Sequence, residues 1–247
     1  MDNFESAESQ KHWQHIDVDN QTEPLVPNPQ VAEVRLAKNQ VNHFLIKKPA
    51  EDGIVGNRKA LSYVRLPQAL DVGQTATFYT RVNVEYFPNN HSFGLSNLTA
   101  EGIAEKNYNA FEPMIRITDK RESNGYKNDG TLMVMVEDRA YAKIINPETG
   151  EPAEPMQSDI WYELWYVVNN ATKASGGQSY DVYIRGGEFE IQQRVFSGAS
   201  FRMQREQPLI NFIAICNTGS KDKPYGNGGV RYDDIYMASG TELTTPN

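Results

Sequence analysis

The sequence predicts an all-β protein, built as a two-sheet antiparallel β-sandwich. Three observations predict it. Apolar residues alternate with polar ones at a period of two in one segment after another. Clusters of Gly, Asn, Asp and Pro separate these segments, as turns do. No stretch carries the apolar stripe of a long amphipathic helix.

The longest alternating strand is predicted over residues 75–86. Apolar side chains occupy one face, among them Phe78, Val82 and Val84. The opposite face carries Tyr79, Arg81, Asn83 and Glu85. This pattern is typical of a strand with one face in a core and the other towards solvent.

Further strands follow in order along the chain. Residues 132–136 are apolar on both faces, which predicts a central strand that is covered on both sides. The other predicted strands span 114–118, 161–168, 180–185, 188–196, 209–216 and 230–237. No linker or internal repeat divides the chain, so we expect one β-sandwich domain over residues 1–247.

Composition excludes several classes of protein. The 24 basic and 32 acidic residues give a net charge of −8, which argues against a nucleic-acid partner. No apolar run approaches the ~20 residues that span a bilayer, so no membrane insertion is expected. A single cysteine, Cys216, allows no disulfide framework. Residues 1–15 are polar and do not form a signal peptide.

Three segments carry a family resemblance: DNFESAE at the start, WYELWYVVNNATKASGGQSYDVYIRGG in the middle, and GGVRYDDIYMASGTEL at the end. Together they resemble the concanavalin A-like lectin/glucanase jelly rolls, including laminin-G-like and carbohydrate-binding modules. The resemblance implies that the first and last strands pair, here residues 2–6 with 230–237. It also implies an extracellular, periplasmic or cell-surface location.

The motifs of the family's enzymes are absent. The chain has no E-x-D-x-x-E pattern of the glucanases and no Tyr-Phe-Lys-x-Gly or Gln-x-His motif of the alginate lyases. The leading hypothesis is therefore a non-catalytic polysaccharide-binding module, part of a larger secreted or surface protein with other domains. A structural or adhesive domain without a sugar ligand is a further alternative.

The polar strand faces offer a candidate glycan-binding surface. Sugars are bound by aromatic rings and by side chains that hydrogen-bond hydroxyls or carboxylates. The candidate residues are Tyr79, Arg81, Asn83, Arg116, Tyr183 and Arg185. Their arginines would suit an anionic polysaccharide, although every half-buried strand also presents a polar face to solvent. Trp161 and Trp165 share one strand face and are either a stacking platform or core.

A polysaccharide lyase acting on uronates is the enzymatic alternative. His91 would be its base, Tyr79 its acid, and Arg81 or Arg116 would neutralise the uronate carboxylate.

A structural calcium ion is the one cofactor that the resemblance implies. Its ligands would come from an acidic residue near the start and an aspartate of the last strand: Asp2 or Glu5, and Asp233 or Asp234. The 119–130 loop is rich in Asn and Asp but fails the EF-hand pattern, because Arg121 stands at its third position.

Overall fold

A computed structural model describes residues 2–6, 8–38, 41–56, 58–122 and 124–246. Two antiparallel sheets of seven strands each pack face to face, which confirms the predicted β-sandwich. Strands are labelled in chain order. In spatial order, sheet 1 consists of β1 (Gln14–Val18), β4 (Lys59–Leu70), β13 (Leu209–Cys216), β6 (Asn90–Ser96), β7 (Phe111–Thr118), β8 (Met133–Met135) and β9 (Tyr141–Lys143). Sheet 2 consists of β12 (Phe189–Ser200), β11 (Ser179–Gly186), β10 (Trp161–Asn169), β5 (Thr75–Val84), β16 (Val230–Ser239), β3 (His43–Lys48) and β2 (Val31–Leu36).

The remaining elements are short. A two-stranded ribbon, β14 (Gly219–Ser220) with β15 (Lys223–Pro224), follows β13. The helix α1 spans Ala100–Lys106. Single 3-10 turns occur at Ser9–His12, Asn107–Ala110, Glu137–Arg139 and Lys173–Ser175. No helix among the described residues is long and apolar enough to cross a membrane.

The main core lies between the two sheets. Aromatic residues fill its centre, where Phe93 of sheet 1 meets Tyr232 of sheet 2 edge to face, with ring centroids 5.5 Å apart. Phe78 and Tyr166 stack within sheet 2 at 5.4 Å. The apolar face predicted for 75–86 is the inner face of β5, so that prediction is confirmed.

A second apolar cluster covers part of the outer face of sheet 1. Ile103 of α1 packs there against outward-facing residues such as Phe111 and Ile213. Thr99 caps the helix by accepting a hydrogen bond from the Gly102 N–H. The cluster extends over β7, β8 and β9 through Phe111, Met135 and Tyr141.

Strand β8 is covered on both faces, as its sequence predicts. Val134 points into the main core, and Met135 points into the outer cluster. It is not central in its sheet, however, because only the short β9 lies beyond it.

The chain termini meet as the resemblance implies, but over one residue pair. Asp2 and Ile235 exchange two backbone hydrogen bonds of 2.8 Å. Phe4 then adopts a left-handed backbone conformation with φ 57° and turns its buried ring into the core, so the pairing stops.

Candidate functional site

The predicted binding residues are divided between the two sheets. Tyr79, Arg81 and Asn83 lie on the outer face of β5, and Tyr183 and Arg185 lie beside them on β11. Arg116 lies on β7, in sheet 1, on the opposite side of the molecule. The expectation that Arg116 joins the others is therefore wrong, because alternation gives each strand two faces without assigning it to a sheet.

The charged groups on the outer face of sheet 2 are paired with one another. The Arg81 Nη1 lies 3.1 Å from the Asp233 carboxylate and 3.3 Å from that of Asp234. The guanidinium also lies 4.9 Å from the Trp161 ring centroid. Burial and the neighbouring Asp234 raise the pKa of Asp233 to about 7, with Arg81 opposing this shift. Arg81 is therefore paired, although its side chain is 27% exposed and lines a cavity of about 520 Å³ on this face.

The other polar and charged side chains of this face are also paired with one another. Glu163 accepts a hydrogen bond of 2.9 Å from the Tyr79 hydroxyl and pairs with Arg185. Asn83 accepts one of 2.8 Å from Arg231.

The C-terminal segment, residues 240–246, runs across the same face. The Leu243 carbonyl accepts a hydrogen bond of 2.8 Å from Gln192, and the Thr244 carbonyl accepts one of 3.2 Å from the Trp165 indole. Trp165 is 1% exposed, although it points away from the main core. It is covered by this segment and by Tyr79, so it offers no stacking surface to a sugar. Trp161 remains partly exposed.

His91 lies in the core and not beside a binding surface. Its Nε2 is 2.5 Å from the Tyr232 hydroxyl, and the residue is fully buried on β6. Burial holds the pKa of the imidazole well below its usual value, assisted by the nearby Lys47. The predicted catalytic set of His91 with Tyr79, Arg81 and Arg116 is therefore not assembled.

The four predicted calcium ligands are engaged elsewhere. Asp2 Oδ1 accepts hydrogen bonds of 2.9 Å from the Phe4 N–H and 2.6 Å from the Ser9 hydroxyl. Glu5 lies 2.9 Å from the His43 imidazole. The Asp233 and Asp234 carboxylates hold Arg81. Within the described ranges no three or more His, Cys, Asp or Glu side chains form a group that could hold a metal, so these residues do not fit a calcium ion.

Two adjoining cavities mark the open part of sheet 1's outer face. They flank the β7–β8 loop, which comprises residues 119–122 and 124–132 of the described chain. A cavity of about 820 Å³ lies between this loop and the β14–β15 ribbon. A cavity of about 470 Å³ lies over β7, β8 and β9. Glu122 lines both, and we call the two cavities together the Glu122 groove.

The loop's own sequence folds it into a small hairpin. Arg121 and Lys127 form an antiparallel bridge, and Gly125, with φ 90°, makes the turn that an L side chain would strain. The Asn128 side chain donates a hydrogen bond of 2.9 Å to the Lys120 carbonyl. This arrangement places Lys120 and Glu122 over the ends of the sheet 1 strands.

Arg116 is at the centre of the groove. Its Nη2 lies 2.8 Å from the Glu122 carboxylate and donates a hydrogen bond of 3.1 Å to Asn90, and its guanidinium lies 4.7 Å from the Tyr141 ring centroid. The residue is 6% exposed, and its Nε has no hydrogen-bond partner among the described residues. A buried guanidinium N–H without a partner is uncommon.

The lining of the groove is basic and aromatic in an acidic protein. Lys120 lies 5.0 Å from the Tyr225 ring centroid. The basic lining residues are Arg116, Lys120, Arg121, Lys127 and Lys143. The acidic ones are Asp119 and Glu122, and the tyrosines are Tyr126, Tyr141 and Tyr225. Chemically, this surface can neutralise carboxylates and pack rings against sugar faces.

Sequence reasoning named Arg116 but missed its surroundings. The sequence of the 119–130 loop resembles a calcium-binding pattern that it then fails, and this obscures its basic and aromatic character. Its signal was the interleaving of Lys120, Arg121 and Lys127 with Tyr126. Tyr225 could not have been connected to it, because the two segments meet only in the folded chain.

Comparisons with known proteins show the fold. No family model matches the chain, and no curated protein does. Among solved structures, the chain is similar to the marine PL-14 alginate lyase from Aplysia kurodai, with a TM-score of 0.54, 14% identity, and coverage of 85% of this chain and 87% of that one. It is similar to a GH131 β-glucanase catalytic domain from Podospora anserina, with a TM-score of 0.51, 8% identity, and 86% and 80% coverage.

A lectin domain gives the same result. The VIP36 exoplasmic/lumenal domain, in a form bound to Ca²⁺ and Man3GlcNAc, has a TM-score of 0.51, 8% identity, and coverage of 98% of this chain and 91% of that one. These structures confirm the concanavalin A-like fold that the three sequence segments indicated. At such identities they carry no residue assignments to this chain.

Proposed function

We propose that this protein binds an anionic, uronate-containing polysaccharide in the Glu122 groove. The observation that carries the proposal is the concentration of five basic side chains and three tyrosines along two adjoining cavities, in a chain of net charge −8. A neutral glycan carries no negative charge that could pair with these basic side chains.

The geometry suits an extended chain of sugars. Arg116 lines the cavity over β7, β8 and β9 beside Glu122, and arginine binds carboxylates through two parallel N–H groups. Tyr225 and Tyr141 lie in different cavities and provide ring surface on either side of the junction of the cavities. Several successive sugar units could therefore be held by charge and by ring packing in turn.

The fold comparisons support a sugar ligand in general terms. The similar structures include a lectin domain with a bound glycan and two enzymes named for polysaccharides, one of them alginate, which is anionic. They support the proposal no further than a shared fold does.

Binding without catalysis is the better-supported form of the proposal. A lyase needs a base that can take a proton from the sugar ring near neutral pH. No histidine lines the groove among the described residues. Burial raises the pKa of the Tyr108 hydroxyl, which lies 3.5 Å from Asn90, so this tyrosine keeps its proton.

A uronate lyase is the second candidate, favoured by one arrangement. Asn90 contacts both Arg116 and the Tyr108 hydroxyl, so a carboxylate-neutralising pair stands next to a phenol. Such a set could act in β-elimination if substrate binding lowered the pKa of the Tyr108 hydroxyl, so that it could act as the base.

Affinity electrophoresis tests the proposal and separates the candidates. The purified chain is run through gels cast with polymannuronate, polygalacturonate or a neutral β-glucan, with and without EDTA. We expect retardation in the two uronate gels alone, unaffected by EDTA. Cleared polymer and a new ultraviolet-absorbing unsaturated sugar end would establish the lyase. Equal mobility in all gels would contradict both and favour an adhesive or structural domain.

The location follows from the ligand. Polysaccharides of this kind lie outside the cell, so we propose an extracellular, periplasmic or cell-surface protein, joined to other domains. Fractionation of the source cells, with immunodetection of the native protein and its mass, tests both points.

A further inference from the structure

Glu122 occupies the position where the groove would receive a carboxylate. Its Oε1 lies 2.8 Å from Arg116 Nη2 and accepts a hydrogen bond of 2.8 Å from the Asn128 amide. Its Oε2 lies 3.1 Å from Lys120 Nζ. One arginine, one lysine and one amide therefore converge on a single carboxylate.

The same side chain divides the groove. Among the described residues, Glu122 is the one that lines both cavities. Its side chain is 25% exposed, so it reaches solvent without crossing the core. A carboxylate that left Arg116 and Lys120 could move outwards and open the junction.

Arg116 has more binding capacity than Glu122 uses. One of its terminal nitrogens is shared between Glu122 and Asn90, and its Nε has no partner among the described residues. A planar carboxylate placed against the side of the guanidinium could bind two of its N–H groups at once. Because Nε is buried, a carboxylate gains this second contact only by taking the place that Glu122 leaves beside the guanidinium.

We infer that Glu122 is an internal competitor for the ligand: a uronate carboxylate replaces the Glu122 carboxylate on Arg116 and Lys120 and joins the two cavities into one groove. This inference rests on the proposed function. Exchange of one carboxylate for another leaves both cations paired. A neutral sugar cannot do this, so the exchange makes Glu122 a determinant of specificity for acidic sugars.

The test compares Glu122→Gln with a matched variant, Asp129→Asn. Asp129 pairs with Lys143 in the same groove but contacts neither Arg116 nor Lys120 in the described structure, so its substitution removes the same charge without removing the competitor. Titration calorimetry is run with a mannuronate oligosaccharide, a neutral oligosaccharide and a sulfated neutral oligosaccharide.

We expect Glu122→Gln to tighten uronate binding about tenfold, and Asp129→Asn to change it by less than about twofold. Neither variant should acquire affinity for the neutral sugar. If Glu122→Gln bound the uronate no more tightly than Asp129→Asn, the inference would be overturned. Tightening for the sulfated sugar equal to that for the uronate would overturn the assignment to carboxylates.

A second measurement covers the case in which the amide variant disturbs the loop. Burial of the Glu122 carboxylate would raise its pKa. The positive charges of Arg116 and Lys120 outweigh this effect and hold the pKa of Glu122 below its ordinary value. If the ligand frees Glu122, that pKa rises, and the wild-type protein takes up protons on binding near the ordinary glutamate pKa. Calorimetry in buffers of different ionisation enthalpy should show more proton uptake for wild type than for Glu122→Gln. Equal uptake would count against displacement.

The experiment distinguishes failure of the proposed function from failure of the competitor role of Glu122. If wild type binds the uronate and Glu122→Gln does not improve it, the proposed function stands and the competitor role falls. If neither protein binds any uronate, the proposed function falls and takes the inference with it.

Discussion

Arg81 and Arg116 point to opposite sides of the sandwich, one from each sheet's outer face. Arg81 is held by two aspartates and a tryptophan ring. Arg116 is held by one glutamate and one asparagine, and its buried Nε has no partner in the described part of the chain. Both arginines line cavities, but the cavity of Arg116 adjoins a second one that is lined by further basic side chains.

Glu112, at the start of β7, should be a main contributor to the stability of the chain. It is fully buried, lies 2.7 Å from Arg205 Nη1 and accepts a backbone hydrogen bond of 2.9 Å from Gln204. Glu112→Ala leaves these donors without their acceptor, so we expect a loss of about 3–5 kcal/mol in the free energy of unfolding, measured with urea. The exposed Glu105→Ala is the control. A loss below about 1 kcal/mol would show that the pair is not needed.

Stability should fall as the pH is lowered, in part because of His91. Its pKa is well below the usual 6.5 in the folded chain and returns to that value on unfolding. The unfolded state therefore binds the extra proton, and the stability present above the unfolded pKa is lost as the pH falls towards the folded one. Between roughly pH 7 and roughly pH 5 we expect His91 to contribute to the loss of stability, by at most about 1.4 kcal/mol for each pH unit.

Urea unfolding of wild type and His91→Gln at both pH values measures this contribution. The variant should show a correspondingly smaller pH dependence. An unchanged slope would mean that His91 is protonated equally in the folded and unfolded chains.

Removal of the C-terminal segment should expose Trp165. The segment covers its indole and accepts its N–H through the Thr244 carbonyl at 3.2 Å. A chain ending at Ser239, carrying Trp161→Phe, should show red-shifted emission and stronger acrylamide quenching than the full-length Trp161→Phe protein. Uronate binding should be unchanged, since the groove lies on the other sheet. Identical quenching would show that the segment does not cover Trp165 in solution.

The pattern of alternation was sufficient for the fold but not for the site. It predicted β5 and β10 because each buries one face in a core. It misplaced His91, since β6 is a buried strand with polar residues such as Asn90, whose partners Arg116 and Asn217 come from distant parts of the chain. No local pattern reports those partners, and none reports which sheet a strand joins.

The groove could not be predicted for the same reason. It is formed where the β7–β8 loop meets the outer face of sheet 1 and the β14–β15 ribbon, three segments that are separate in sequence. The charge of Lys120 and Arg116 was visible, but their convergence on Glu122 depends on the hairpin made by the loop.

Titration of a mannuronate oligosaccharide into Arg116 variants tests whether the Glu122 groove is the binding site. Arg116→Ala should weaken binding by at least about tenfold, and Arg116→Lys, which keeps the charge but loses the planar fork, should fall in between. Arg185→Ala removes an exposed arginine from the other sheet and should stay within about twofold of wild type. Thermal unfolding confirms that each variant is folded. Wild-type affinity in a folded Arg116→Ala protein, or an equal loss in Arg185→Ala, would contradict the assignment of the binding site to the Glu122 groove.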